Sequence, residues 1–397
     1  MSQKQKYLIL VGDGMADFPI SALGGKTPVE SASTPNMDKI AAAGRIGLLS
    51  TIPDGFLPGS DIGNMSLLGY DPRRYFCGRA PIEAASMGIP IGPDDVVFRC
   101  NLVTIENGVM KDYSAGHIST EAASTVISAL QKSLGIDGEL KFHPGVGYRH
   151  LLTVKNIGAK LKCVPPHDIT GQKIDPYLPN GDDAGDKDYI LSLMNRAKPI
   201  INETKAKGGN HAATDIWLWG QGPAVTLPTL NERYGITGSV ISAVDLVRGL
   251  GKLAGLKVRT IDGATGYLGT NYAGKVAAAI DAFNSGEDFV YLHVEAPDET
   301  SHEGSLDKKI QAIEEFDKYA VGEMLKYQSQ TPNLRIAVSP DHITALSTKT
   351  HDASPVPFCI CGDGIKVDGA KRYCEAEAKS IVSTPIEGPE FFEMLVK

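Results

Sequence analysis

Apolar positions in this chain gather into short unbroken runs, and between the runs apolar residues return every three or four positions. Tyr7–Val11, Phe289–Val294 and Arg335–Ser339 read as strands covered on both faces, since a strand with one wet face would alternate. Gly- and Asp-rich turns follow these runs. Helical spacing marks Pro35–Ala43, Ile241–Leu253, Gly274–Phe283 and Leu306–Leu325. For the first of these, Thr34 is placed to cap the free N–H groups and Pro35 to take the first helical position. Strands alternating with helices predict an α/β fold, a mostly parallel sheet sandwiched by helices.

The middle of the chain has a different rhythm. Val96–Thr104 and His150–Val154 read as strands, and Ser119–Ser133 as an amphipathic helix. Val164–Lys187 is polar, holds four prolines and reads as loop. The expectation is a discontinuous catalytic domain, residues 1–80 and 216–397, interrupted by a smaller α+β domain at 81–215.

Composition narrows the class. Hydrophobic residues make up 42% and charged residues 22% of the chain, as in ordinary globular proteins. No apolar run approaches the ~20 residues of a membrane-crossing helix. The opening MSQKQKYLILVGDGMAD has too little apolar sequence for a signal peptide, which predicts a cytoplasmic protein. A net charge of −8 argues against nucleic-acid or membrane partners. The six cysteines form no CxxC pair and read as reduced thiols. Nothing in the pattern fixes an oligomeric state.

Chemistry enters with the placement of Asp and His. Open α/β sheets collect ligands at the carboxyl ends of their strands. Asp13 lies just past the first strand. Asp298 follows Phe289–Val294, with His302 four residues on. Asp341 and His342 follow Arg335–Ser339, and His351 comes soon after. A lone Asp in such a place is usually a turn residue or a helix cap. Three strand ends that together deliver three Asp and three His are a different matter. A mixed carboxylate–imidazole set suits Zn²⁺ or Mn²⁺, and six ligands exceed one tetrahedral shell. Two ions ~3.5–4 Å apart form the clamp used on transferring phosphoryl groups.

A nucleophile is available in FLPGSDIGNMSLLGYDP. Ser60 follows a Pro-Gly turn and precedes the helix-like run Ile62–Leu68. A helix N-terminus favours a phosphate, and a serine hydroxyl becomes nucleophilic beside a base or on a metal. Taken alone, Ser60 could equally be a helix cap. Ser66 falls inside the helical run and has the weaker claim.

VGDGMAD, GSDIGNMSLLGYDP, GRAPIEAASMGI, HVEAPDETSHEGSLDKKIQAIEEFD and SPDHITALSTKTHDASPVPF together resemble the archaeal-type cofactor-independent phosphoglycerate mutases of the alkaline phosphatase superfamily. The resemblance spans nearly the whole chain. It implies interconversion of 3- and 2-phosphoglycerate through a phosphoserine, without 2,3-bisphosphoglycerate. It assigns Asp298, His302 and His351 to one metal ion, and Asp13, Asp341, His342 and Ser60 to the other. It further implies Mn²⁺, with Zn²⁺, Mg²⁺ or Co²⁺ as substitutes, and an inserted domain acting as a lid that excludes water.

A phosphorylated three-carbon acid carries about three negative charges, so arginine and lysine forks are required. Arg79, Arg99, Arg149 and Lys275 are candidates, and His117 in DYSAGHIST is a candidate acid, base or phosphate donor. Arg79 is favoured because it falls where the two domains join. GTNYAGK imitates the start of a nucleotide-binding loop, but Val276 stands where Ser or Thr must bind Mg²⁺, so no such loop is expected. DYSAGHIST departs from the arginine-bearing segment of the archaeal mutases. Two alternatives therefore stand beside the mutase: a homoserine kinase of the same metalloenzyme family, and a metal-dependent phosphomonoesterase.

Overall fold

The computed structural model describes residues 4–397. The chain divides into two compact units, one running up to Phe76 and resuming over Leu227–Lys397, the other covering Cys77–Thr226.

The larger unit is built on eight strands. Their spatial order is Ile386–Glu387, Arg45–Ser50, Val356–Cys361, Leu334–Ser339, Lys6–Gly12, Phe289–Val294, Gly238–Ile241 and Lys257–Val258. Only Val356–Cys361 runs against its neighbours; every other pairing is parallel. The central strands are buried along almost their whole length, as their unbroken apolar runs require. Leu8, Leu10, Val290, Leu292, Ile336 and Val338 share a core with Met37, Val276, Phe283, Ile313 and Phe316 from covering helices. Burying each such side chain contributes roughly 1.5–3 kcal/mol. Alternate positions serve the other face, where Phe289 meets Phe392 of helix Gly388–Val396.

Local expectations fail instructively at two points. Thr34 does not cap helix Pro35–Ala43, since its side chain makes no cap bond and its hydroxyl is buried without a partner. The carboxylate of Asp317 takes the role, accepting from the N–H groups of Asn36 and Met37. The apolar periodicity over Leu306–Leu325 is not one α-helix either. It splits into Leu306–Glu315, a π-helical stretch Phe316–Val321 and Gly322–Ser329, and Asp317 lies in that stretch.

In the smaller unit, Asp95–Glu106 is flanked by Val109–Asp112, Arg149–Lys155 and Asp215–Pro223, and Leu140–Val146 extends the sheet beside Arg149–Lys155, all antiparallel. Helices Thr120–Leu134 and Ala184–Ala206 bury Val126, Leu130, Leu193 and Ala197 in a core with Val96, Phe98 and Leu152. On the opposite face Ala80 and Ala84, from helix Arg79–Met87, pack against Val97 and Leu151. The unit reaches beyond 81–215 at both ends for a physical reason. Strand Asp215–Pro223 is hydrogen-bonded into this sheet and helix Arg79–Met87 lies on it. The stretch read as loop, Val164–Lys187, contains the 3₁₀ turns Pro166–Ile169 and Asp175–Tyr177, and helix Ala184–Ala206 begins within it. No helix is long and apolar enough to cross a membrane among the described residues.

Candidate metal centre

Three adjacent parallel strands of the larger sheet end at one edge and deliver the acidic and imidazole groups there. Asp13 follows Lys6–Gly12, and its N–H donates to the Val294 carbonyl of the next strand. Beyond Phe289–Val294 the chain enters helix Ala296–Glu303, with Asp298 in its first turn and His302 one turn later on the same face. Leu334–Ser339 leads into Asp341 and His342, then into the hairpin Ile343–Ala345/Thr350–Asp352, where His351 stands opposite Thr344. Gly14, at φ +59°, is pressed against Asp298, where a Cβ would clash. Its N–H donates to Asp341 Oδ1 at 3.2 Å.

Two groups of donor atoms result. Asp298, His342 and His351 form one; Asp13, Asp341 and His342 form the other, and within each group the ligand atoms lie within 4.8 Å of one another. His342 belongs to both, whereas the resemblance placed it with one ion only. His302 adjoins the first group, its Nε2 3.2 Å from Asp298 Oδ2 and 3.1 Å from His351 Nε2. Ser60 is the first residue of helix Ser60–Leu67, and its Oγ lies 3.1 Å from His342 Nε2. Ser66 is excluded as a nucleophile, because it is buried with its hydroxyl donating to the Thr51 carbonyl.

The donor set demands positive charge. Asp13, Asp298 and Asp341 are all buried. Burial, followed by the charges of Asp341, Asp298 and Glu295, pushes the Asp13 carboxyl well above the usual carboxylate range. Burial opposes ionisation of Asp298 too, but hydrogen bonds from His302 and His351 hold it well below that range. Burial would lower His302, yet its bond to Asp298 raises it to about 9. Asp13 Oδ1 and His293 Nε2 are buried without hydrogen-bond partners, although His293 Nε2 sits 3.0 Å from Asp13 Oδ2. His302 Nδ1 faces the Lys349 carbonyl at 2.9 Å and must carry a proton to do so. An orphaned carboxylate oxygen amid buried carboxylates and imidazoles is satisfied by a divalent cation, and the carboxylate–imidazole chemistry fits one.

Of the other expected site residues, all but Lys275 belong to the smaller unit. Arg79 and Arg99 both direct Nε at Glu83, at 3.3 and 2.9 Å. Arg99 is buried with its guanidinium 4.2 Å from the Trp219 ring centre, and burial lowers it to about 10. Arg149 is exposed and lies over Tyr148. His117 is exposed in a left-handed conformation, φ 52°, with its N–H held by Ser114 Oγ. Lys275 differs from expectation. It is 1% exposed, and Nζ donates to the His293 carbonyl instead of reaching out to an anion.

Sequence reading passed over His293, Asn64 and Thr344. His293 lies inside an apolar strand, but Asn64 is four residues beyond Ser60 on one helix face, a spacing that was visible. Thr344 donates to Asp298 Oδ1 at 2.5 Å and lies 3.2 Å from His342 Nδ1.

Fold and donor set define a metal-dependent phosphoryl-transfer class of α/β enzyme. Comparison with known proteins narrows that class. A family profile described as 2,3-bisphosphoglycerate-independent phosphoglycerate mutase matches residues 41–206. The protein of that name from Methanosarcina barkeri is 50% identical over 99% of both chains. A solved protein from Pyrococcus horikoshii aligns with 99% of this chain and 97% of its own, with a TM-score of 0.80 and 28% identity. The cofactor-independent phosphoglycerate mutase from Thermoplasma acidophilum aligns over 98% of each chain, with a TM-score of 0.66 and 26% identity. The chain belongs to the 2,3-bisphosphoglycerate-independent phosphoglycerate mutases.

Proposed function

We infer that this chain interconverts 3-phosphoglycerate and 2-phosphoglycerate, without bisphosphoglycerate, through a phosphoryl group carried on Ser60. One observation carries the reading: the Ser60 hydroxyl opens a helix directly against His342, the residue shared by both donor groups. The names of the relatives support the mutase over the kinase and the phosphomonoesterase.

The tautomer of His342 follows from its neighbours. Thr344 has one hydroxyl proton, which goes to Asp298, so its oxygen accepts from His342 Nδ1–H. His342 Nε2 therefore presents a lone pair toward Ser60 Oγ, or to an ion. Divalent ions held by Asp298, His302 and His351 and by Asp13, Asp341, His342 and Ser60 would polarise phosphoryl oxygens and favour the serine alkoxide. Mn²⁺ is our choice among them.

Ser60 Oγ gives up its proton and attacks phosphorus, the bond to O3 of glycerate breaks, and that oxygen takes a proton in balance. The O2 hydroxyl of glycerate then gives up its proton and attacks phosphorus, the Ser60 ester is cleaved as the new one forms, and Ser60 Oγ regains a proton. The N-terminal end of helix Ser60–Leu67, where Ser60 stands, favours the phosphate in both half-reactions. Arg79 and Arg99, fixed side by side by Glu83, are assigned to binding the anionic substrate. The protein is taken to be a cytoplasmic enzyme of glycolysis or gluconeogenesis. Rapid acid quench during turnover with 3-phosphoglycerate, followed by peptide mass spectrometry, tests the route. Phosphate on the Ser60 peptide supports it, and a consistently unmodified peptide contradicts it.

A further inference from the structure

Asn64 is fully buried one helical turn after Ser60, and its amide is satisfied on every side. Nδ2 donates to the Ser60 carbonyl at 2.8 Å and to Asp341 Oδ2 at 2.6 Å. Oδ1 accepts from the Tyr291 hydroxyl at 2.6 Å. That last bond decides which way the amide points. With the Tyr291 proton on Oδ1, the NH₂ group must face Asp341; a flipped amide would set two oxygens against each other and leave the tyrosine proton without an acceptor. The helix is also brought close to Asp341. A Cβ at Gly63 would run into the Asp341 carbonyl, so only glycine permits this approach.

We propose that Asn64 and Tyr291 form a positioning pair that locks the nucleophile's helix to the Asp341 carboxylate, and so sets the affinity of the Asp13–Asp341–His342 donor group for its divalent ion. The inference rests on the metal-dependent reading of that group. Asp341 is gripped at both oxygens, by Gly14 N–H on Oδ1 and by Asn64 on Oδ2. Each oxygen keeps a further lone pair for a cation while the carboxylate cannot rotate. Tyr291 reaches the pair from strand Phe289–Val294, the same strand that places His293 beside Asp13. Groups that orient a ligand in this way typically change metal affinity 10- to 100-fold when removed.

The experiment is a calorimetric Mn²⁺ titration of the full-length, metal-stripped chain in wild type, Asn64→Ala, Tyr291→Phe and the double variant, with thermal melting of the apo forms alongside. Asn64→Ala should weaken one of the two ions about tenfold or more and leave the other unchanged. Tyr291→Phe, which keeps the ring packing, should weaken the same ion several-fold, and should add nothing when Asn64 is already alanine. A purely structural pair would lower the melting temperature of the apo chain while both ions kept their affinities, and that result overturns the proposal. Should Asn64→Ala fail to fold, Tyr291→Phe decides alone: wild-type affinity at both sites contradicts it. If wild type itself binds no divalent ion, it is the metal reading that fails.

Discussion

The Ser60 hydroxyl oxygen lies 3.1 Å from Nε2 of His342, and His342 is the residue that the two donor groups have in common. In the proposed mechanism the nucleophile therefore touches a residue common to both candidate ligand groups. Replacing Ser60 by alanine removes only the attacking oxygen. Ser60→Ala should lose at least about a thousandfold in turnover, as removal of other activated nucleophiles does, while elemental analysis finds its divalent metal largely retained. Normal activity in that variant would end the covalent account.

Metal content offers an independent check. His302→Ala or His351→Ala should lower the bound divalent ion by one per chain, because each removes an imidazole adjoining Asp298. Chelation should also lower the melting temperature of the wild-type chain. Restored Mn²⁺ should stabilise it progressively, by about 2.7 kcal/mol at a hundred times the dissociation constant. Unchanged stoichiometry in both histidine variants would move the ligands elsewhere.

Arg79 is the partly exposed member of the pair held by Glu83. Arg79→Met keeps much of the side-chain volume and removes a charge-assisted bond, worth about 1.5–3 kcal/mol. Its KM for 3-phosphoglycerate should rise about 10- to 100-fold, with kcat changed much less. Steady-state kinetics showing an unaltered KM would remove Arg79 from substrate binding.

The smaller unit contains a pH-sensitive residue that is not among the candidate metal ligands. His150 is 2% exposed, its Nδ1 accepts from the Gly145 N–H, and burial lowers it from an ordinary 6.5 to about 4. The unfolded chain then binds the proton more readily than the folded one. The stability from neutral His150 is fully present above pH 6.5 and falls away as pH drops toward 4, by about 3 kcal/mol at most. Hydrogen exchange of strand Arg149–Lys155 should accelerate over that interval, and less so in His150→Asn. An identical pH profile in the two proteins would contradict the assignment.

The candidate metal centre was legible because its acidic and imidazole groups sit where short buried strands end, and such strands announce themselves as unbroken apolar runs. His293 escaped notice because it occupies one of those runs, where its neighbours argue for packing. Asp317 was equally hidden: it caps a helix some 280 residues earlier in the chain, a pairing that no local pattern encodes. Lys275 misled for the opposite reason. Its place in the first turn of helix Tyr272–Asn284 suggested an anion, but the helix turns it inward onto a strand carbonyl. The ends of the inserted unit shifted because strand Asp215–Pro223 pairs with Asp95–Glu106, a long-range contact.

The central claim is tested most directly by following 3-phosphoglycerate, in the presence of Mn²⁺ and without bisphosphoglycerate, by ³¹P NMR with the purified protein, beside a reaction supplied with ATP and homoserine. The account predicts 2-phosphoglycerate from the wild-type chain, none from Ser60→Ala, and no homoserine-dependent ADP. Homoserine-dependent ADP without any 2-phosphoglycerate would contradict it, and would assign the same serine and metal ligands to a kinase.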